Sequence, residues 1–134
     1  MREVARRAFV GGTWLVGVAV LIQVLLAGLG VFTYPGFFFW HASVNGSVVF
    51  FLPLLLVLVG WLGGVPARIL GLAGAVTGLT IVQSLLLIPY HMNMQGPLRV
   101  ISGLHALNAI FIFWVALQLV ARTRGWSVRA DADR

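Results

Sequence analysis

Two histidines in the sequence have the chemistry to bind a transition metal, and each is followed closely by an asparagine. Asn45 comes four residues after His41, and Asn108 comes three residues after His105. Neutral imidazole is a common ligand of haem iron, and two imidazoles fill both axial positions. The chain has no cysteine, which excludes disulfides, thiolate metal sites, iron–sulfur clusters and a covalently attached c-type haem. The sequence therefore predicts His41 and His105 as metal ligands. The alternative for each is a histidine that hydrogen-bonds a lipid headgroup or a main-chain carbonyl.

The composition places these histidines in a membrane protein. Hydrophobic residues make up 60% of the 134 residues and charged residues only 9%, whereas a soluble domain carries about 25% charged residues. This composition excludes a soluble enzyme and a free nucleic-acid-binding module, although the formal net charge is +6. We expect a single integral membrane domain over residues 1–134.

Four apolar stretches are long enough to cross the hydrocarbon core of a bilayer, which takes about 20 helical residues. Turns rich in glycine and proline separate them, so consecutive helices must be antiparallel neighbours. The sequence predicts an all-α fold, a four-transmembrane-helix up-down-up-down bundle. Its predicted helices cover about residues 8–32, 38–62, 69–90 and 100–121, followed by a cytoplasmic tail at 122–134.

The arginines predict the orientation. With four crossings, eight of the nine arginines fall on one side of the membrane. The positive-inside rule then predicts a prokaryotic-type plasma-membrane protein with both termini in the cytoplasm. Arg99 alone falls on the outer side, six residues before His105, or about 9 Å along a helix. We expect Arg99 to pair with a haem propionate, and the alternative is a lipid headgroup contact.

The two helical hairpins carry the same polar residues in the same order. Polar side chains within a bilayer usually face the bundle interior, so these residues are expected to bind the cofactor. For the two glutamines the alternative is a hydrogen bond to each other that bridges their helices. A duplication would relate the hairpins by a pseudo-two-fold axis along the membrane normal. Both histidines would then lie at one depth on the diagonal helices two and four. The matched residues are Gln23, His41 and Asn45 in the first hairpin, and Gln83, His105 and Asn108 in the second.

Glycine and proline predict two further features of the helices. Gly71, Gly74 and Gly78 give the third helix a face of small residues, which predicts close packing against a neighbouring helix. Pro53 is expected to kink the second helix and widen the outer half of the bundle. His91 follows the third helix and is expected at the membrane interface.

The arrangement of the two histidines, on the second and fourth helices, resembles one half of the haem A synthase fold. The stretches 23–32 and 105–109 contribute to this likeness. The chain is also similar to small, uncharacterised four-helix membrane proteins of the same size. The resemblance implies that His41 and His105 hold a haem. The catalytic half of haem A synthase carries a glutamate four residues before its first histidine, where this chain has Phe37, so haem hydroxylation is not implied.

These residues predict a small b-type membrane cytochrome that holds one haem b between helices two and four for electron transfer. Two alternatives stay open: a non-redox accessory subunit or assembly factor of a larger membrane complex, and a bundle that binds a quinone or another small molecule. The expected partners are membrane lipid, other membrane subunits or a second copy of the chain, and not nucleic acid. The sequence has no nucleophile–base pair or phosphate loop, which favours an electron carrier or subunit over an independent enzyme.

Overall fold

The computed structural model of the chain describes residues 1–132, and their side chains as far as Val128. This part of the chain is almost entirely helical. A π-helical turn, Asn45–Val49, joins the second helix to the third. The predicted tail extends to Asp133 and Arg134, which lie outside the described residues. The seven α-helices are α1 (Arg2–Phe32), α2 (Phe37–Val44), α3 (Phe51–Gly63), α4 (Ala67–Leu85), α5 (Ile88–His91), α6 (Pro97–Ile101) and α7 (Leu104–Ala132).

These helices form four spans that are long and apolar enough to cross a membrane, which confirms the predicted all-α four-helix fold. Large apolar side chains on the outside of the bundle remain exposed, as expected of a surface that faces lipid; Trp61, for example, is 68% exposed. The spans, numbered 1 to 4 below, are Arg2–Phe32, Phe37–Gly63, Ala67–His91 and Pro97–Val128.

The spans are arranged as an up-down-up-down bundle. Span 1 packs against spans 2 and 4, and span 3 packs against the same two, so spans 2 and 4 lie on a diagonal. The turn between α1 and α2 and the loop between α5 and α6 lie at one end, called the hairpin end. The N-terminus and the turn between α3 and α4 lie at the other, called the terminal end. Fully buried Phe9, Val16, Val76 and Leu119 belong to the core between the spans.

The first and last helices are longer than the apolar pattern predicts. α1 begins at Arg2 instead of near residue 8, and α7 continues to Ala132 instead of ending near residue 121. Polar contacts stabilise these extensions: Arg7 pairs with Glu3 at 2.9 Å, one helical turn away, and the Arg6 guanidinium lies 4.7 Å from the centroid of the Trp126 ring. Hydropathy identifies the apolar part of each of these two helices, but both helices continue beyond it into polar sequence.

Span 2 is irregular where the proline predicted a kink. Pro53 has no N–H to donate to the carbonyl of Val49, which is the last residue of the π-helical turn. In this turn the Phe50 N–H donates to the Asn45 carbonyl at 3.0 Å. The Thr77 hydroxyl of span 3 donates to the Phe50 carbonyl at 3.2 Å. A hydroxyl from a neighbouring helix thus satisfies part of the irregular backbone, as membrane helices require.

Spans 3 and 4 are interrupted near the hairpin end, where the sequence predicts continuous helices. α4 ends at Leu85, and Pro89 four residues later cannot donate to the Leu85 carbonyl. α6 ends at Ile101 and α7 begins at Leu104. The second break places His105 in the first turn of α7.

The predicted close packing of the third helix on Gly71, Gly74 and Gly78 is wrong. A Cβ atom at any of these positions would meet no heavy atom within 4 Å. The tight approach of helices occurs instead at Gly60 of α3, where a Cβ would lie 2.7 Å from the ring of the fully buried Phe9. Close packing therefore involves a glycine of span 2, and likewise Gly12 of span 1, where a Cβ would meet the Leu56 side chain.

We expect Gly60→Ala to lower the free energy of unfolding by about 1–3 kcal/mol, because the added methyl overpacks a core that has no room for it. Thermal unfolding of the purified protein in detergent measures the change. Gly71→Ala is the matched control and should leave the stability unchanged or slightly higher, because its methyl enters open space on an exposed helix face. Equal melting temperatures for the Gly60→Ala variant and the wild type would contradict the prediction.

Candidate functional site

His41 and His105 lie next to each other near the hairpin end. Their ring centroids are 6.4 Å apart, and the ring planes are inclined by 56°. His41 lies on α2 and His105 on α7, so the pair bridges the diagonal between spans 2 and 4. A metal ion lies about 2 Å from an imidazole nitrogen, which places two imidazole centroids on opposite sides of one ion about 6 Å apart. The pair has the spacing of two axial ligands.

Each histidine is oriented by a main-chain carbonyl on the span before it. Nδ1 of His41 lies 3.0 Å from the carbonyl oxygen of Gln23, and Nδ1 of His105 lies 3.1 Å from that of Gln83. Because a carbonyl oxygen only accepts, each Nδ1 carries the proton and donates it. In the neutral ring Nε2 then keeps its lone pair, which is the state of a metal-binding histidine whose other nitrogen donates a hydrogen bond. The same bond in both hairpins supports the predicted internal repeat.

In the second hairpin the polar side chains are hydrogen-bonded to each other and to the main chain. Asn108 donates through Nδ2 to Oε1 of Gln83 at 2.6 Å and to the main-chain carbonyl of Leu79 at 2.9 Å. The Asn108 and Gln83 side chains are both buried. These bonds join span 3 to span 4 one turn from His105.

The first hairpin leaves the corresponding groups unpaired. Oε1 of Gln23 is buried and has no hydrogen-bond partner. Among the described residues, the Asn45 side chain also makes no hydrogen bond. The two glutamine side chains are not hydrogen-bonded to each other: Oε1 of Gln23 has no partner, and Oε1 of Gln83 accepts from Asn108.

A cavity of about 510 Å³ adjoins the histidine pair, a volume within the range of small-molecule sites. Its polar lining groups belong to five of the predicted residues, and the rest of its wall is aliphatic apart from one phenylalanine. Leu21, Val24 and Ile110 are wall residues that are also more than half exposed, so the cavity opens between spans 1 and 4 toward the outside of the bundle. The polar lining residues are Gln23, His41, Asn45, Gln83 and His105.

Two predicted cofactor-binding residues do not line this cavity. Asn108 contacts it indirectly, through Gln83. Arg99 lies on the short helix α6 with its guanidinium 5.0 Å from the centroid of the Tyr90 ring, and its pairing with a propionate stays a prediction. The exposed ring of His91 lies 5.5 Å from the same tyrosine, centroid to centroid, and away from the histidine pair.

The site offers a metal few side-chain ligands. Within residues 1–128, whose side chains the structure describes, no three histidine, aspartate or glutamate side chains come together as a metal-ion site. A protein-bound zinc ion takes three or four protein ligands, whereas haem iron receives four nitrogens from its porphyrin and needs at most two from the protein. Two histidines beside an apolar cavity thus match the ligand demand of a haem better than that of a bare ion.

Comparison with protein families gives a match. A model described as "Family of unknown function (DUF6220)" matches residues 23–89, half of the chain. The matched region includes Gln23, His41, Asn45 and Gln83, and it ends before His105. No curated protein and no solved structure matches the chain.

Proposed function

The chain belongs to this family of unknown function, and we propose from its geometry that it is a small b-type cytochrome that holds one haem b for electron transfer. The observation that carries the proposal is the histidine pair, with centroids 6.4 Å apart on diagonal spans. His41 and His105 bind the iron through Nε2, and the main chain holds both rings in the required tautomer. Iron with two axial histidines has no open position, which suits electron transfer rather than oxygen chemistry.

The cavity fits the macrocycle in size and polarity. Ala106 and Ala109 are small lining residues beside His105, where a flat ring requires room. The apolar wall buries the porphyrin, and the opening between spans 1 and 4 gives it access from the bilayer. Arg99 pairs with a propionate at the hairpin end, because a guanidinium that stacks on Tyr90 keeps its N–H edge free for a carboxylate.

A reduced-minus-oxidised absorption spectrum of the detergent-purified protein tests this function. We expect the spectrum of a low-spin b-type haem at one haem per chain. A folded protein that neither retains haem nor takes it up on titration would contradict the proposal. Absence of haem together with co-purification at fixed stoichiometry with a larger membrane complex would instead support the accessory-subunit alternative.

We propose that both termini of the integral membrane protein are cytoplasmic in a prokaryotic plasma membrane. Arg2, Arg6, Arg7 and Arg68 all lie at the terminal end of the bundle, together with the arginine-rich end of α7, and the positive-inside rule places such an end in the cytoplasm. A reporter that works only in the cytoplasm should be active when fused after Arg134, and one that works only in the periplasm should be inactive. The opposite result would contradict the proposed orientation.

A further inference from the structure

Three side chains with metal-binding chemistry lie within four consecutive residues of the loop at the hairpin end. They are the imidazole of His91 and the thioethers of Met92 and Met94, and residues 91–94 are called the Met turn below. The one other methionine of the sequence is Met1, which lies at the terminal end. No residue of the Met turn lines the cavity beside the histidine pair. This group is therefore separate from the proposed haem site.

The main chain folds the Met turn back on the end of α5. His91 is the last residue of that helix, and the Met94 N–H donates to the Pro89 carbonyl at 3.0 Å. Asn93, between the two methionines, has a φ of 52° and is the one non-glycine residue of the described backbone in the left-handed region. Its carbonyl accepts from the Gln95 side-chain amide at 3.1 Å. These bonds keep both methionines close to the histidine.

The side chains of the Met turn are accessible to an ion. Met92 is 64% exposed, His91 is exposed and Met94 is half-buried. Neither ring nitrogen of His91 is hydrogen-bonded within the described residues, whereas Nδ1 of His41 and of His105 is. Even in a fully extended chain, the Cα atoms of residues 91 and 94 would be at most about 11 Å apart. An imidazole, a thioether and a shared ion can span that gap.

The types of these donors select a soft cation. Thioether sulfur binds Cu(I), whereas Cu(II) prefers nitrogen and oxygen ligands, and Mg²⁺ and Ca²⁺ prefer oxygen. Zinc sites in proteins use thiolate, imidazole and carboxylate ligands, but the sequence has no cysteine and no aspartate or glutamate between residues 4 and 130. Cu(I) is thus the biological ion whose preference matches two thioethers and one imidazole.

The charge beside the Met turn favours a monovalent ion over a divalent one. The Arg99 guanidinium lies 5.0 Å from the centroid of the Tyr90 ring, and the His91 ring lies 5.5 Å from the same centroid. Repulsion between the guanidinium and a bound cation is twice as large for a divalent ion at the same distance. No carboxylate of the neighbouring sequence offsets it.

We propose that His91, Met92 and Met94 bind one Cu(I) ion at the hairpin end. In the proposed orientation this site faces the periplasm. Its ligands differ from the iron ligands, so Cu(I) binding does not depend on haem.

Copper X-ray absorption spectroscopy of the purified full-length protein tests the proposal. The protein is loaded anaerobically with one equivalent of Cu(I), in a buffer and detergent without sulfur. Because the chain has no cysteine, sulfur bound to copper can come only from methionine. We expect a copper–sulfur distance of about 2.3 Å, the usual value for a first-row metal bound to sulfur. A spectrum with only nitrogen and oxygen neighbours would overturn the proposal.

Competition with a coloured Cu(I) chelator measures the affinity and identifies the ligands. Met92→Leu and Met94→Leu nearly conserve the volume of the side chain but remove the sulfur. Loss of a supporting contact around a metal costs about 10–100-fold in affinity, so loss of a ligand should weaken Cu(I) binding at least about tenfold. His91→Gln should weaken it by a similar factor. Cu(I) affinity that is unchanged when both methionines are replaced would overturn the proposal.

The histidine pair requires its own control, because two imidazoles can also hold Cu(I). His105→Ala should leave the copper–sulfur distance and the Cu(I) affinity unchanged. If the affinity falls in His105→Ala but not in Met92→Leu, the ion lies between the paired histidines and the proposal is wrong. Haem content, measured on the same samples, is a separate readout. A protein without haem that still binds Cu(I) through methionine contradicts only the cytochrome function.

Discussion

Replacing either His41 or His105 with alanine is expected to remove almost all of the low-spin haem from the purified protein. Each histidine supplies one axial ligand in the proposed site, and iron with a single imidazole is no longer the six-coordinate, low-spin species. Absorption spectra and the haem-to-protein ratio measure the loss. If either variant keeps the wild-type spectrum, the two-histidine site is wrong.

Two controls separate loss of a ligand from loss of the fold. His91→Ala should leave the spectrum intact, because His91 is exposed and lies beside Tyr90, not the histidine pair. Imidazole added to the His105→Ala variant should restore the low-spin spectrum, because the free ligand fits the space that the side chain leaves. Failure of imidazole to restore it, in a variant with unchanged helix content, would count against direct ligation by His105.

Asn108→Leu is expected to lower the free energy of unfolding by about 2 kcal/mol. The substitution removes both hydrogen bonds from Nδ2 of Asn108 and leaves Oε1 of Gln83 buried without a partner. Loss of one partner of a buried hydrogen bond costs about 1–3 kcal/mol, although single hydrogen bonds between membrane helices contribute only about 0.6 kcal/mol on average. Unfolding in detergent by heat or denaturant measures the change.

The repeat provides the matched control for this prediction. Asn45→Leu makes the same change at the corresponding residue of the first hairpin, where the side chain has no hydrogen bond within the described residues. It should leave stability nearly unchanged, because it breaks no hydrogen bond. The prediction would be contradicted if the two leucine variants were equally stable.

The sequence predicts the bundle and the pairing of the histidines for simple physical reasons. Lipid requires about 20 apolar residues for each crossing, so the four spans are visible in the hydropathy alone. Short turns make consecutive helices neighbours and place helices two and four on a diagonal. The matched spacing of His41 and His105 then brings two imidazoles to a similar depth, and their centroids lie 6.4 Å apart in the structure.

Other features of the site were beyond sequence reasoning because they depend on the main chain. The acceptors of the two histidines are carbonyl oxygens of Gln23 and Gln83, and every residue has such a group. The π-helical turn at Asn45 also has no residue type of its own. Its signs in the sequence are Pro53, which predicts a kink in this helix, and the spacing of four residues from His41 to Asn45, against three from His105 to Asn108.

The main-chain bonds to the histidine rings make their orientation tolerant of mutation. In many metal sites an aspartate or glutamate holds the ligand histidine, and a single substitution can remove it. Here the acceptors are peptide carbonyls of α1 and α4, so no change of side chain at positions 23 or 83 deletes them while those helices persist. The orientation of the histidines therefore places no requirement on the side chains at these two positions.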